Sequence, residues 1–392
     1  MSNFPPSDNG NKHALHQLQN QWFLLVALAL LSTLVGVSAL GINWTIENAL
    51  RWGVIAGVVL SYQLVFIHRR LTTNHPVNAI NLQPSFGWGT SLTMLRGAFI
   101  AWTAGFLFLP RPNFSFAWTP AILYMIAIFI DLVDGYVARV RHQTTSLGDV
   151  LDNEFDALGL LIAISLAVWY RTLPVWFLPI GMARYAFSFG IWLRHRKGLQ
   201  VYPLPQSTSR RPIAGFTMGF TSAMLWPIVS PPGSVLAGLL FLVPFGASFT
   251  RDWLVVSGAL DPNSTRYQKR RSALRSILLQ WFPLILRIAF VLAVGILILN
   301  WKCASDDAVT ARNLADLTIL LVGAIMIALG FAGRFAALVI IFPLGFAIID
   351  SGPRPLLVLS LLTNLSILLL GTGAGSLWKP EIKLFGRRWG MR

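Results

Sequence analysis

Four aspartates, Asp131, Asp134, Asp152 and Asp156, sit at the ends of long apolar runs. A carboxylate in such a setting is costly to keep and is usually there for function. Asp131, Asp134 and Ala138 follow i, i+3, i+7, with Gly135 and Arg139 beside them, while Gly148, Asp152 and Asp156 follow i, i+4, i+8. Each set lies on one helix face. Helical rise separates Asp152 from Asp156 by roughly 6 Å along the axis. That spread suits carboxylates clasping divalent ions roughly 3.5 to 4 Å apart. Four carboxylates without a cation would repel one another, and hard cations such as Mg²⁺ or Mn²⁺ take all-oxygen ligands. The spacing therefore predicts a divalent-metal centre where two helices meet.

The full run is Asp131-x2-Asp134-Gly135-x2-Ala138-Arg139-x8-Gly148-x3-Asp152-x3-Asp156. It resembles the signature of the CDP-alcohol phosphotransferases (CDP-alcohol phosphatidyltransferases) at all eight positions. The resemblance extends over residues 85–250 at most. It implies that Asp131, Asp134 and Asp152 bind metal in a two-metal Mg²⁺ or Mn²⁺ site, with Asp156 completing that site and serving as the base. It also implies that Asp131, Gly135, Ala138, Arg139 and Gly148 line the site for the CDP moiety. Small side chains admit a close nucleotide, and a guanidinium matches phosphate oxygens. The activity implied is transfer of a substituted phosphate from a CDP-linked lipid, CDP-diacylglycerol first, to an alcohol hydroxyl with release of CMP. Within the family, transfer from a CDP-amino alcohol to diacylglycerol is the alternative.

The segments that must carry these residues are membrane-like. The chain has 392 residues, 55% of them hydrophobic and 12% charged, with 15 Trp and 26 Phe, which places it among polytopic membrane proteins. The net charge of +16 is spread over short loops between apolar runs. A nucleic-acid partner would require a basic patch on one soluble domain, so positive-inside topology is the better account. The single cysteine, Cys303, offers neither an intrachain disulfide nor a cysteine metal site. There is no His-Glu-x-x-His zinc site, no Walker-type phosphate loop and no Gly-x-Ser-x-Gly elbow.

Read in order, residues 1–84 comprise a polar tail and two spans, 22–42 and 51–67, ending on the basic His68-Arg69-Arg70. A cleaved signal peptide ending near Val37-Ser38-Ala39 is the competing reading of the first span, against which stands its long, weakly basic polar lead. Six core helices follow between 85 and 250: residues 90–109, 118–140, 148–170, 175–193, 213–229 and 235–249. The opening Thr90-Ser91-Leu92-Thr93-Met94-Leu95-Arg96 is similar to the family's Asn-x-x-Thr-x-x-Arg, with Thr90 in place of Asn. Arg96 then either faces the nucleotide site or snorkels to headgroups. Thr93, Arg184, Arg210 and Arg211 are further candidate nucleotide or acceptor contacts, the last two competing with a simple topological or headgroup role. Asp149 and Glu154 lie off the acidic face and read as solvated or secondary residues.

Residues 251–275 read as a basic linker, and residues 276–392 as about four further spans with a basic tail. Arg287, the run 328–334 and the Gly-rich 371–377 carry a resemblance to the DoxX-like four-helix membrane proteins. The expected fold is thus an all-α polytopic membrane protein: a six-helix core with two extra N-terminal and about four extra C-terminal transmembrane helices. Basic loops fall on one side if there are about twelve spans with both termini and the acidic site cytoplasmic. The expected partners are a CDP-linked lipid, an alcohol acceptor, membrane lipids and a second copy of the chain, with no nucleic acid. Two readings of other classes use the same residues: an ion- or proton-coupled transporter relaying through the carboxylates, and a membrane scaffold built on a catalytic core.

Overall fold

The computed structural model describes residues 8–76, 81–112, 114–140, 145–205, 210–304, 311–352 and 354–378. Among these residues the regular structure is helical, and β pairing is limited to isolated bridges such as Pro76 with Thr145. The chain divides into two compact units, residues 1–189 with 217–231 and residues 190–216 with 232–392.

In the first unit, α1 (Asp8–Asn43) and α2 (Ile46–His68) pair with each other, and α2 packs on α3 (Trp88–Ala104). Thr45 caps α2 by accepting the Asn48 N–H, as hydroxyl side chains do at helix starts. α3 lies against both α4 (Thr119–Val140) and α5 (Ser146–Trp169), and so is the central helix of the acid-bearing pair. Leu18, Ile67, Met94, Ile100, Leu151 and Phe155 make its packed centre. Lipid does not drive helices together as water does, and close backbone approach takes over. At Gly97 an added Cβ would stand 2.8 Å from the Phe155 ring, so the α3–α5 contact depends on the bare backbone there.

The expected first core helix, residues 90–109, is shorter in the structure: α3 ends at Ala104. Gly105 follows it, and an added Cβ at that position would stand 2.5 Å from the Trp52 indole nitrogen, which itself donates to Trp102 O at 3.0 Å. The indole wedged against the helix end leaves the chain to turn, with Phe108 left-handed at φ 63° ahead of Pro110.

The loop before α3 also sets the start of α5. Asn74 is fully buried, and its Nδ2 donates to Gln83 O and Ser85 O, each at 3.1 Å. Ser146 N donates to His75 O at 2.9 Å. From α1, Asn11 Oδ1 accepts the Leu82 N–H and Gln21 Oε1 accepts the Phe86 N–H. The first helix and the loop after α2 therefore shape the segment on which α5 begins.

Helices α6 (Leu178–Arg196), α7 (Arg210–Met224) and α8 (Gly233–Val256) continue the chain. Within the expected linker, residues 251–275, α9 (Thr265–Ser276) holds the basic run in a helix. Ser264 accepts the Tyr267 N–H, Arg251 Nε donates to Tyr267 Oη at 2.7 Å, and the Arg, Lys, Gln and Ala residues that follow are strong helix formers. A π-turn at Ile277–Trp281 then leads into α10 (Phe282–Ala304). With α11 (Ala311–Leu329), α12 (Gly333–Ser351) and α13 (Pro355–Leu370), α10 encloses a second apolar core that includes Phe290, Ile327, Ile340 and Leu344.

Among the described residues, five helical stretches are long and apolar enough to cross a membrane: Gly10–Asn43, Ile46–His68, Phe116–Asp134, Gly233–Val256 and Thr265–Asn300. Side chains such as Phe23, Leu34 and Val54 are more than half exposed on the first two, as lipid-facing residues are. The protein is an integral membrane protein.

Candidate metal centre and active site

Antiparallel packing of α3 on α4 turns two i, i+3 pairs into facing partners. Thr93 and Arg96 lie one turn apart on α3, as Asp134 and Asp131 do on α4. Thr93 Oγ1 donates to Asp134 Oδ2 at 2.9 Å, with Gly89 O within reach of the same proton at 3.1 Å. Arg96 reaches Asp131 through Nη1. Sequence spacing on two helices thus becomes a two-rung polar ladder in an otherwise apolar interface.

α5 closes the site from the other side of α3. Arg96 Nη2 donates to Asp152 Oδ1 at 3.0 Å and to Asp152 O at 3.1 Å, and Nη1 pairs with Asp156 Oδ1 at 3.2 Å. Asp131, Asp152 and Asp156 each offer a carboxylate oxygen, and these oxygens lie within 4.8 Å of one another. The guanidinium is 2% exposed, whereas the three carboxylate side chains are 29%, 47% and 40% exposed. The acids therefore stand over a buried cation with their outer side accessible. Asp134 is buried at 5%. A cavity of about 20 Å³ lies beneath, lined in part by Ile100, Tyr124, Phe155, Gly159 and Met218, room for about one water.

Three further features support α5. Thr145 caps it by accepting the Gly148 N–H at 3.1 Å. A Cβ at Gly148 would meet Thr90 Oγ1 at 3.1 Å and Thr145 Oγ1 at 3.3 Å, so this glycine faces the α3 start and lets the two helices close. Glu154, on the reverse face of α5, accepts from Tyr62 Oη of α2 at 2.7 Å and from Tyr185 Oη of α6 at 3.1 Å.

The expected site residues thus fall into three groups. Asp131, Asp134, Asp152 and Asp156 converge, and Thr93 and Arg96 converge with them as direct partners of the acids. Arg184 is exposed on α6, close enough to act electrostatically on Asp156. The side chains of residues 135–140 and 206–212 lie outside the described residues, and with them the side chains of Gly135, Ala138, Arg139, Arg210 and Arg211, which are placed only as positions on α4 and α7.

Arg96, expected to face either the nucleotide site or the headgroups, points into the acid cluster. Its i+3 spacing from Thr93, matching that of Asp131 and Asp134, was the available signal. Glu154 was set aside as secondary, and its two tyrosine donors come from positions 92 and 31 residues away, which no local pattern connects.

The donor set fits a hard divalent cation: oxygen ligands only, three of them close together, and an excess of negative charge beyond what Arg96 balances.

Residues 89–250 match the family model described as CDP-alcohol phosphatidyltransferase. The CDP-diacylglycerol–glycerol-3-phosphate 3-phosphatidyltransferase of Salmonella choleraesuis (strain SC-B67) is 34% identical over 97 residues, 23% of this chain and 50% of the relative. The enzyme of the same name from Yersinia enterocolitica is 36% identical over 93 residues, 22% of this chain and 48% of the relative. The cardiolipin synthase (CMP-forming) of Streptomyces coelicolor is 31% identical over 122 residues, 29% of this chain and 54% of the relative. The chain spans about half the length of the curated relatives it matches. No solved structure matches it. Residues 89–250, which match that family model, contain the convergent aspartates.

Proposed function

We propose that the protein is a divalent-metal-dependent phosphatidyltransferase that moves a phosphatidyl group from CDP-diacylglycerol to an alcohol hydroxyl and releases CMP. The observation that carries this reading is the convergence of Asp131, Asp152 and Asp156 oxygens within 4.8 Å on two apolar helices inside the segment that matches the family. Asp131, Asp134, Asp152 and Asp156 would hold Mg²⁺ or Mn²⁺, which when bound supplies positive charge to the diphosphate and to the charge that develops on it.

The chain's own groups do the rest. Asp156 takes the proton from the acceptor hydroxyl. The oxygen then attacks the phosphorus that bears the lipid alcohol, the bond from that phosphorus to the CMP oxygen breaks, and CMP leaves with the electron pair. Arg139 steadies the equatorial oxygens. Gly135, Ala138 and Gly148 leave room for the nucleotide, and the donor's acyl chains remain in the bilayer. Arg184, Arg210 and Arg211 are the side chains to examine for an anionic acceptor. Glycerol 3-phosphate, named in the relatives, heads the acceptors to test, followed by inositol phosphate, inositol, serine and amino alcohols.

In this reading residues 85–250 form the catalytic core, residues 1–84 and 276–392 add membrane helices before and after it in the sequence, and the site opens to the cytoplasm. The test is CMP release by the full chain in liposomes containing CDP-diacylglycerol, with labelled acceptors, with and without EDTA. Metal-dependent CMP release coupled to one acceptor supports the assignment. Ion flux without CMP would favour the transporter reading, and CDP-lipid binding without turnover would favour the scaffold.

A further inference from the structure

Arg96 has a buried charge, three carboxylate partners and an incomplete set of bonds. It approaches the acids from inside the helix packing, at 2% exposure, and spends its two terminal nitrogens on Asp131, Asp152 and Asp156. Among the described residues its Nε has no hydrogen-bond acceptor. A guanidinium serving as a permanent buried bridge would be expected to satisfy its five donors. Its single positive charge also stands against four acids, counting Asp134, which Thr93 holds alongside, with Arg184 acting on Asp156 from farther off. Each of the three carboxylates gives its Oδ1 to Arg96 while remaining 29% to 47% exposed on its outer side.

We propose that Arg96 is the resident counter-ion of the acid cluster, docked where divalent cations would otherwise neutralise the same three carboxylates, so that cation loading and guanidinium docking compete. This rests on the metal-binding reading given above. The physical reason is twofold. The Oδ1 atoms that Arg96 holds are ones a cation at this cluster would also draw on, so each partner weakens the other's hold on them. A +1 group in the middle of the cluster also repels a +2 ion a few ångströms away, in surroundings where charge is poorly screened. In the absence of divalents the guanidinium keeps three repelling carboxylates together and the helices α3, α4 and α5 in register. When divalents load, that task passes to them, and the arginine side chain is released from the carboxylates.

The test is Mn²⁺ binding by the full chain in detergent after stripping with EDTA, read from the electron-paramagnetic signal of free Mn²⁺, together with the thermal midpoint of the metal-free protein. Arg96→Gln should bind Mn²⁺ about tenfold tighter than wild type or better, because a competing charge is gone, and should melt earlier without metal. Arg96→Lys keeps a charge but, as a single compact ammonium, cannot make the forked contacts. It should bind Mn²⁺ a fewfold tighter than wild type, and it serves as the measurement if Arg96→Gln does not fold without metal. Equal or weaker Mn²⁺ binding by the variants overturns the competition while leaving the metal site standing. A folded wild-type protein that takes up no Mn²⁺ overturns the metal site, and the competition with it.

Discussion

Asp152→Asn isolates charge from shape at the candidate metal centre. The amide keeps an oxygen that can accept from Arg96 Nη2, now 3.0 Å from Asp152 Oδ1, and removes one negative charge from a side chain that is 47% exposed. At about 4 Å and an effective permittivity near 20, a unit charge pair is worth about 4 kcal/mol. A divalent ion feels twice that, and the repulsion between Asp152 and its acidic neighbours that the change relieves returns a large part. A net loss of about 3 kcal/mol, or roughly a hundredfold in affinity, is the working figure.

The consequence can be read without turnover. At a metal concentration of 100 times Kd, binding stabilises the folded state by about 2.7 kcal/mol; after a hundredfold rise in Kd the same concentration gives about 0.4 kcal/mol. The assay is the thermal midpoint of the detergent-solubilised chain with and without Mn²⁺, alongside CMP release from CDP-diacylglycerol liposomes. The metal-induced rise in midpoint should nearly vanish, CMP release should be lost, and the metal-free midpoint should stay level or rise because a like-charge contact has been removed. Wild-type CMP release and an undiminished Mn²⁺ response would refute the placement of Asp152 in the site. A large fall in the metal-free midpoint would refute the claim that its charge is unfavourable without a cation.

Gly148→Val places branched carbon where a single Cβ already meets Thr90 Oγ1 at 3.1 Å and Thr145 Oγ1 at 3.3 Å, so the α3–α5 contact should open at a cost of about 1 to 3 kcal/mol, seen as a lower midpoint, with Gly148→Ala milder. In the second unit, Arg287 donates from Nε to Ile327 O at 2.9 Å, from Nη1 to Thr372 O at 3.1 Å and Ala374 O at 3.0 Å, and from Nη2 to Ala328 O. Arg287→Met should strand these carbonyls and cost about 3 kcal/mol, with amide exchange rising selectively around residues 327–332 and 371–376. Unchanged exchange there would show that the guanidinium does not hold the Gly-rich end of α13.

The legibility of the candidate site followed the range of the interactions involved. Asp131, Asp134, Asp152 and Asp156 were identifiable because helical periodicity is local: three or four residues of spacing decide which side chains share a face. The class of protein was equally accessible, since an apolar content of 55% with 12% charged residues suits no water-soluble core of this length. The four C-terminal helices were also close to their expected positions, with α13 ending at Leu370 as the apolar run does. Helix ends were less accessible where a distant side chain intervenes, as Trp52 does at Gly105. The basic stretch 265–276, which falls in the expected linker, is helical, as its Arg, Lys, Gln and Ala content favours.

Sequence by itself determined which faces carry acid and that those faces belong to apolar helices, because both properties are written within a few turns of chain. Only the tertiary structure decided what the acids meet. Arg96 lies 35 residues before Asp131 and 60 before Asp156, and whether it points to lipid, to nucleotide or to carboxylate depends on how α3 packs between α4 and α5. The same holds for Glu154, whose tyrosine donors arrive from α2 and α6. Pairing energies between distant charges depend on separation and burial, and neither quantity exists until the helices are assembled.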